Sequence, residues 1–495
     1  MAKRKAMAIN NFTLSAKLDK NRVFILQKSE LEKRLDPTYY IHEFNNYEKK
    51  LVQKPYQKFA KLVKSINNGF DFREYKESGT PYLKVANIKQ GEIDFTKIQY
   101  VDFSSTEISK NIQLKKGNIL LTRKGTFGNA FALDKNLDFV ISSEIFYIEL
   151  IEDSINPKFL EIFFNSKIGQ AQFDKNKIGA IMGSLSQTAI RELKIPLPSS
   201  IVQNQTVRMY NNYILQKQQN EAEAEKLLAT IDDYLLNELG IKLPKPPENT
   251  LKNRMFTASI KEISTGRFDP KLYSNQSQNL IKSLFETKFK YQTLKSITTQ
   301  SCAGDWGNDD KEKFNDEEFI KCLVIRATEF DNKFNLNVDG SRAKFRLINR
   351  AKFLSLDIKS NDLLLEKSGG SENQPVGRVS ILTKELTENY SLGFSNFVHK
   401  IRVDDKIVLP NFVFNYLKTV HNIKITDVMQ SQTNGIRNLI MNEYFNLPIP
   451  IPPLEKQKEI ADHITAIRMQ AQNLKDKTKE ALAQASKEIE NLLLN

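Results

Sequence analysis

Two stretches of this chain gather basic, amide and hydroxyl side chains around glycines that follow apolar, strand-like runs. In the first, Leu120-Leu121 leads into Arg123-Lys124-Gly125-Thr126, followed later by Lys175-Asn176-Lys177 and by Ser184 to Thr188 (SLSQT), which contains Gln187. In the second, Leu364-Leu365 leads into Lys367-Ser368-Gly369-Gly370, then Arg378, then Gln430 to Arg437 (QSQTNGIR). Arg, Lys, Asn and Gln suit base edges in a major groove, and Lys, Ser and Thr suit phosphates. The candidate contact residues are therefore Arg123, Lys124, Thr126, Lys175, Lys177 and Gln187 in the first stretch. In the second they are Lys367, Ser368, Arg378, Gln432, Asn434 and Arg437. Loops are polar in any protein, so the two sets carry this expectation better than any one member does.

The charge balance agrees with a polyanionic partner. Lys and Arg number 73 against 59 Asp and Glu, a formal charge of +14, with a pI near 9.3. Such a field attracts nucleic acid or an acidic membrane face. No window approaches eighteen consecutive apolar residues, so no membrane span is expected. The opening MAKRKAMAINNF is basic but lacks the apolar stretch of a signal peptide. A cytoplasmic protein is expected.

Catalytic signatures are missing. Cys302 and Cys322 are too few for a disulfide framework or a four-thiolate zinc site. His42, His399, His421 and His463 are scattered without ligand spacing, so no metal site is expected. A methyltransferase would carry a glycine-rich cofactor loop and an Asn/Asp-Pro-Pro-aromatic tetrapeptide. Asp36-Pro37 and Asp269-Pro270 lack the second proline, and Gly125-Thr126-Phe127-Gly128 is too short for a dinucleotide fingerprint. There is no phosphate-cradling Gly-x-x-x-x-Gly-Lys-Ser/Thr and no Gly-x-Ser-x-Gly elbow. The acid-and-lysine run from Asp362 to Lys367 is of a kind that chance supplies often. No catalytic residue is assigned.

Loops of this kind need a frame, and the chain repeats one. Arg34-Leu35-Asp36-Pro37, closing on Tyr40, returns as Arg267-Phe268-Asp269-Pro270, closing on Tyr273, a shift of 267 − 34 = 233. In the same order, Leu62 to Ile66 matches Thr293 to Ile297, and Tyr82 to Ile88 matches Lys321 to Ala327. Lys115 to Leu121 matches Lys359 to Leu365. Last, Ile195-Pro196-Leu197-Pro198 with Gln203 matches Ile449-Pro450-Ile451-Pro452 with Gln457, at 450 − 196 = 254. A growing shift fits insertions in loops of the second half, such as Ser368 to Val376.

Each half opens with a mixed domain. Runs such as Val140 to Ile148, Leu323 to Ile325 and Asn396 to Val403 are bounded by Gly, Asn and Asp and read as strands. Asn156-Pro157 and Leu409-Pro410 read as helix starts, with Pro in the first turn. Each half closes on a proline-marked turn and a long helix-favouring tract. In the last tract Ile460, Ile464, Ile467, Ala471, Leu474, Thr478, Ala481 and Ala485 step by four and three, the seam of a coiled coil. In the central tract, Ile201 to Leu239, the stripe is Leu228, Ile231, Leu235 and Leu239, with Gly240 as a stop. Neither tract, roughly 50–60 Å at 1.5 Å per residue, can bury its stripe alone. The fold expected is therefore α/β (mixed α+β), with two similar recognition domains separated by two long helices packed as an antiparallel coiled coil. The boundaries expected are an N-terminal segment 1–30, domains 31–198 and 246–452, and helical regions 199–245 and 453–495.

Arg-x-Asp-Pro-x-x-Tyr heading each half, Leu-Leu-Thr-Arg-Lys-Gly in the first, and Ile-Pro-Ile-Pro-Pro-Leu-Glu-Lys-Gln before a long helix together resemble one family. The chain is similar, from about Glu32 to its end, to the specificity (S) subunit of type I restriction–modification systems. It departs at Pro198-Ser199-Ser200, which lacks the Pro-Leu-Glu of Pro453-Leu454-Glu455, and at Asn118, where the family pattern has Asp, as at Asp362. The resemblance implies two target-recognition domains, each reading one part of a bipartite site on double-stranded DNA, with helices as a ruler over the unread spacer. It implies docking of two modification (methyltransferase) subunits and of restriction (translocase/endonuclease) subunits. S-adenosylmethionine, ATP and Mg would be bound by those partners and none by this chain. Two rival readings, an enzyme with a disguised site and a coiled-coil scaffold whose heads bind proteins, predict catalysis by the pure chain and no DNA selectivity, respectively.

Overall fold

A computed structural model describes residues 15, 18–31, 35–102, 113–179, 183–264, 268–309, 317–331, 335–338, 344–370, 374–433 and 435–494. Arg34 and Arg267 of the repeated heading motif lie outside the described residues. The chain divides into a first unit, Met1–Glu221 with Asp476–Asn495, and a second, Ala222–Lys475.

In the first unit β1 (Tyr56–Lys58) pairs antiparallel with β11 (Lys194–Pro196). The central antiparallel sheet has the order β2 (Val63–Asn68), β10 (Ile145–Leu150), β7 (Ile119–Thr122), β8 (Ala130–Ala132). A second sheet runs β6 (Gln99–Val101), β3 (Thr80–Leu83), β9 (Val140–Ile141), with β3 and β9 parallel. A small hairpin joins β4 (Ile88–Lys89) to β5 (Glu92–Ile93). The helices are α1 (His42–Leu51), α2 (Pro157–Asn165), α3 (Lys167–Asn176), α4 (Gln187–Arg191) and, as far as Glu221, the long α5 (Ser200–Leu239). Strand β7 is buried at all four positions, as a continuous apolar run between two partners should be. Helix α2 starts where Asn156 accepts hydrogen bonds from the N–H groups of Lys158 and Phe159, and Pro157 needs no donor partner there. It buries Phe159, Leu160, Ile162, Phe163 and Phe164 against that sheet.

The second unit repeats this order. Strand β12 (Tyr291–Thr293) pairs with β23 (Pro448–Pro450). The central sheet is β13 (Thr298–Ala303), β20 (Val398–Val403), β16 (Leu363–Glu366), β18 (Val379–Ile381). The other sheet is β15 (Lys344–Asn349), β14 (Phe319–Ile325), β19 (Leu392–Phe394), again with one parallel pair. This unit adds a sheet of β17 (Ser368–Gly370), β22 (Ile436–Leu439) and β21 (Gln430–Thr433). Its principal helices are α6 (Pro410–Asn422), α7 (Met441–Phe445) and, as far as Lys475, the long α8 (Leu454–Leu494).

Strand-by-strand comparison upholds the repeat and corrects two matches. Leu83 and Ile325 hold the same place in the parallel pairs, a shift of 325 − 83 = 242, whereas the sequence match of Tyr82 with Lys321 gives 239. Lys64-Ser65-Ile66 lies inside β2, whereas Lys295-Ser296-Ile297 forms the turn before β13. Their likeness is fortuitous; Val63 and Thr298, opposite Leu150 and Val403, are the counterparts. Three-residue likenesses survive a slip that alternating burial does not.

The two long helices run antiparallel. Within the second unit Lys456 pairs with Glu238 at 2.8 Å and the rings of Tyr234 and His463 lie 4.2 Å apart. Within the first, the Asn220 amide donates to Thr478 Oγ at 3.1 Å. Ile460 and Ile464 pack with Ile231, Leu235 and Leu239 in one core, and Ile489 and Leu493 join Val207 and Tyr210 in the other. Gly240 ends the first long helix with φ +73°, a conformation glycine adopts without penalty. Among the described residues no helix is long and apolar enough to cross a membrane.

One side chain per unit ties a long helix to its domain. Gln203 accepts from the Asn156 N–H at 3.0 Å and donates to the Pro198 carbonyl at 3.0 Å. Gln457, wholly buried, accepts from the Leu409 N–H at 2.8 Å and donates to the carbonyls of Pro452 and Ile407. In both units the amide closes the backbone at the start of the helix that opens on Pro157 or Pro410, supplying a partner to a donor that would otherwise be stranded.

Candidate nucleic-acid interface

The basic loops of both units hang on the same backbone hydrogen bonds. The N–H of Arg123 donates to the Glu144 carbonyl at 2.9 Å, and that of Lys367 to the Phe397 carbonyl at 2.9 Å. The Arg123 carbonyl accepts from Leu185 N–H at 2.8 Å, and the Lys367 carbonyl from Leu439 N–H at 2.7 Å. Each loop leaves the end of a buried strand, β7 or β16, and is held against later residues, Ser184-Leu185 or β22. Residues far apart in sequence are thereby brought to one place in each unit.

In the first unit Lys124, Gly125 and Thr126 are exposed, and Lys124 bridges to Ser184. Gly125 has φ +74°, and a Cβ there would meet nothing within 4 Å, so its backbone faces open space. Arg123 is half-buried, its guanidinium 5.1 Å from the centre of the Phe146 ring, and its Nε has no hydrogen-bond partner. Lys177 is half-buried and paired with Asp174 at 3.0 Å. Gln187, exposed at the start of α4, lies 3.4 Å from Asn68 Oδ1. Lys175 is turned inward: it is buried, bonded to Glu48, and lies 4.5 Å above the Tyr39 ring. Burial alone would push the Glu48 carboxyl up, but hydrogen bonds from Lys175 and Lys194 outweigh it and leave the group below its usual value.

In the second unit Lys367 is half-buried and Ser368 is buried, paired in register with Asn438. Arg437 is half-buried on β22, opposite Gln432 and Gly370. Gln432 lies on β21; Asn434 lies outside the described residues. Arg378 is buried, with both carboxylate oxygens of Glu366 at 2.8 Å and the carbonyls of Phe330 and Ala327 at 2.8 and 2.9 Å. Four internal acceptors make it a clasp under the loop. Burial pushes Glu366 up against the pull of Arg378, and burial with the nearby Lys367 charge pushes His399 down to about 4.

Sequence reasoning missed three neighbours of these loops: Asp71, which accepts from Ser143 Oγ, and Trp306 against Phe397, ring centroids 5.3 Å apart. The one available signal was that Trp306 is the sole tryptophan.

The model of the type I restriction modification DNA specificity domain matches residues 63–229 and again 310–484, more than half of the chain. The chain belongs to that family. Among curated relatives, the type I restriction enzyme MjaVIII specificity subunit of Methanocaldococcus jannaschii is 23% identical over 444 residues, covering 88% of this chain and 90% of its own. The type I restriction enzyme EcoBI specificity subunit of Escherichia coli is 19% identical over 441 residues, covering 87% and 83%. The crystal structure of the type I restriction-modification system S subunit from M. genitalium aligns over 88% of this chain and 95% of its own, at 13% identity and a TM-score of 0.40. This chain is thus a DNA specificity subunit of a type I restriction–modification system, and the repeated frame is the specificity domain occurring twice.

Proposed function

We propose that each unit reads one part of a bipartite site on double-stranded DNA through its loop set, and that the chain performs no chemistry itself. The observation that carries this is the pair of basic loops set on identical backbone hydrogen bonds at the ends of matching strands. A shared frame with different side chains is what two readers of different half-sites require. Lys124, Thr126, Lys177, Gln187, Lys367, Gln432, Asn434 and Arg437 are the residues we assign to DNA contact, with Arg123 turning outward from Phe146. Lys175, Ser368 and Arg378 act beneath the surface by holding the loops in shape.

On this reading two modification subunits dock on the chain and supply S-adenosylmethionine, and restriction subunits supply ATP- and Mg-dependent translocation. The complex works in the cytoplasm, beside its DNA. The test is to express the chain with the modification subunit encoded beside it and map methylated adenines across a genome. A divided motif with a fixed gap is expected, and its two halves should change separately when residues 45–195 or 285–445 are exchanged for those of a relative. An undivided motif, or methylation without this chain, would overturn the proposal.

A further inference from the structure

Because the two units share a frame, positions beside their basic loops can be matched residue by residue. A Cβ added to Gly69 would fall 1.9 Å from the Ile141 carbonyl oxygen, and one added to Gly304 would fall 1.9 Å from that of Phe394. The next residue in each unit donates its N–H to that same carbonyl, Phe70 at 2.9 Å and Asp305 at 2.7 Å. The side chains one step further are therefore counterparts: Asp71 in the first unit and Trp306 in the second. The loop hydrogen bonds from Arg123 and Lys367 make Glu144 and Phe397 counterparts too.

The backbone is kept and the chemistry is replaced. In the first unit the place holds two carboxylates, Asp71 and Glu144, with Ser143 Oγ donating to Asp71. In the second it holds an aromatic pair, Trp306 edge-on to Phe397, and a Cβ added to Gly369 of the basic loop would lie 3.4 Å from the Phe397 ring. Packing does not account for the pair, since neither ring belongs to the hydrophobic cores of its unit and Trp306 keeps 36% of its surface exposed. A difference confined to the rim of a shared frame, where the frame does not need it, is the mark of a surface that meets different ligands.

We propose that Trp306 and Phe397 form an apolar edge that receives the 5-methyl group of a thymine in the half-site read by the second unit. Thymine is the base that offers an apolar group in the major groove, and it is met there by apolar side chains. At the matching place in the first unit, acceptors stand ready for an exocyclic amino group instead. This rests on the reading of the chain as a two-part DNA reader and assigns one of its specificity determinants.

The test uses the full chain assembled with its modification subunit, on DNA bearing the mapped site. Each thymine of the second unit's half-site, on either strand, is replaced in turn by deoxyuridine, which removes the methyl group alone. At one position the wild-type complex should lose about four-fold in affinity, the equivalent of roughly 0.8 kcal/mol for one buried methyl at 1.4 kcal/mol per tenfold. Trp306→Ala should bind thymine and deoxyuridine equally at that position while keeping its preference in the other half-site, which shows that it is folded. Trp306→Phe should retain part of the discrimination. The inference is overturned if the complex binds its site selectively yet no replacement changes affinity, or if Trp306→Ala discriminates as the wild type does. Absence of any divided motif in the wild type would instead overturn the two-reader proposal, and this inference with it.

Discussion

Gln457→Ala should be among the most damaging single substitutions available in the second unit. Its side chain is wholly buried and makes three hydrogen bonds, from Leu409 N–H at 2.8 Å and to Pro452 O at 2.8 Å and Ile407 O at 3.1 Å. A neutral hydrogen bond contributes about 1 kcal/mol net, and a buried group left without its partner costs roughly 1–3 kcal/mol. Alanine strands one donor and two acceptors, so a loss of about 3–4 kcal/mol is expected. Urea unfolding of the full chain followed by the emission of Trp306 reports on this unit alone, because no other tryptophan exists and Trp306 lies between Ala222 and Lys475. The denaturation midpoint should fall steeply for Gln457→Ala. Gln203→Ala, which removes the equivalent clasp of two bonds in the other unit, should leave the tryptophan transition in place. A Gln457→Ala variant within 1 kcal/mol of wild type, or a Gln203→Ala variant that moves the same transition equally, would refute the idea that these amides clamp each domain to its helix.

Three further outcomes follow from the polar groups around the loops. His399 titrates at 6.5 when free and at about 4 when folded, so from pH 6.5 down to 4 the unfolded chain binds a proton that the folded one refuses, and stability falls. His399→Phe, which installs the residue of the matching position Phe146, should flatten the decline in the urea midpoint between pH 7 and 4.5, leaving the part due to His421, which is also held near 4 by burial. Glu48 is held below its free value of 4.5, so its contribution is present above that pH and disappears as the pH drops through the folded value; Glu48→Gln should therefore lower the melting temperature at pH 7 and approach wild type as the pH is taken progressively below 4.5, by circular dichroism. Lys124→Ala should reduce the slope of log K against log salt by about 0.9, the share of one phosphate contact, whereas Arg378→Gln should leave the slope unchanged and lower the urea midpoint, and the reverse pattern would contradict the assignment of Lys124 to the surface and Arg378 to the interior.

The elements that read clearly from the sequence are those whose signals are local. Asn156-Pro157 announces a helix because a capping amide and a ring with no N–H both belong at that one place, and α2 starts there. The Ile-Pro-x-Pro turns mark β11 and β23 because proline cannot continue a ladder, so the chain must turn towards the long helix. What did not read clearly depends on partners from elsewhere in the chain. Nothing in Lys175-Asn176-Lys177 says that Glu48 will neutralise the first lysine and leave the second near the surface. Arg378 looks like a loop cation until Glu366, twelve residues away across a strand pair, takes both nitrogens of its fork. Trp306 carried no pattern at all, because a lone aromatic between Asp305 and Gly307 has the same appearance in a core as on a rim.

The interior shows the same logic as the rim, with one difference in how substitutions are allowed to accumulate. Asn118 stands where the second unit has Asp362, and in isolation the change looks like the loss of a charge. The registers β7–β10 and β16–β20 place Tyr147 and Lys400 opposite equivalent leucines, Leu120 and Leu364, which exposes the change as one member of a set. Asn118 donates to the Tyr147 hydroxyl, which in turn donates to the Gln113 carbonyl, so neutral partners suffice in this buried setting. Asp362 instead receives Arg402 at 2.7 and 2.8 Å, with the fully buried Lys400 beside it and donating to the Asp357 carbonyl at 2.9 Å. Neither set favours a single exchange: a carboxylate at position 118 would meet Tyr147 and Glu149 where Asp362 meets Lys400 and Arg402, and an amide at position 362 would take from the fully buried Lys400 its paired carboxylate and leave Arg402 with Asp357 alone. The polar groups around Asn118 and Asp362 are therefore expected to change as a set, whereas Asp71 and Trp306, at the solvent edge, can be exchanged one at a time. That asymmetry gives a physical reason why a duplicated domain can alter what it recognises faster than it alters how it folds.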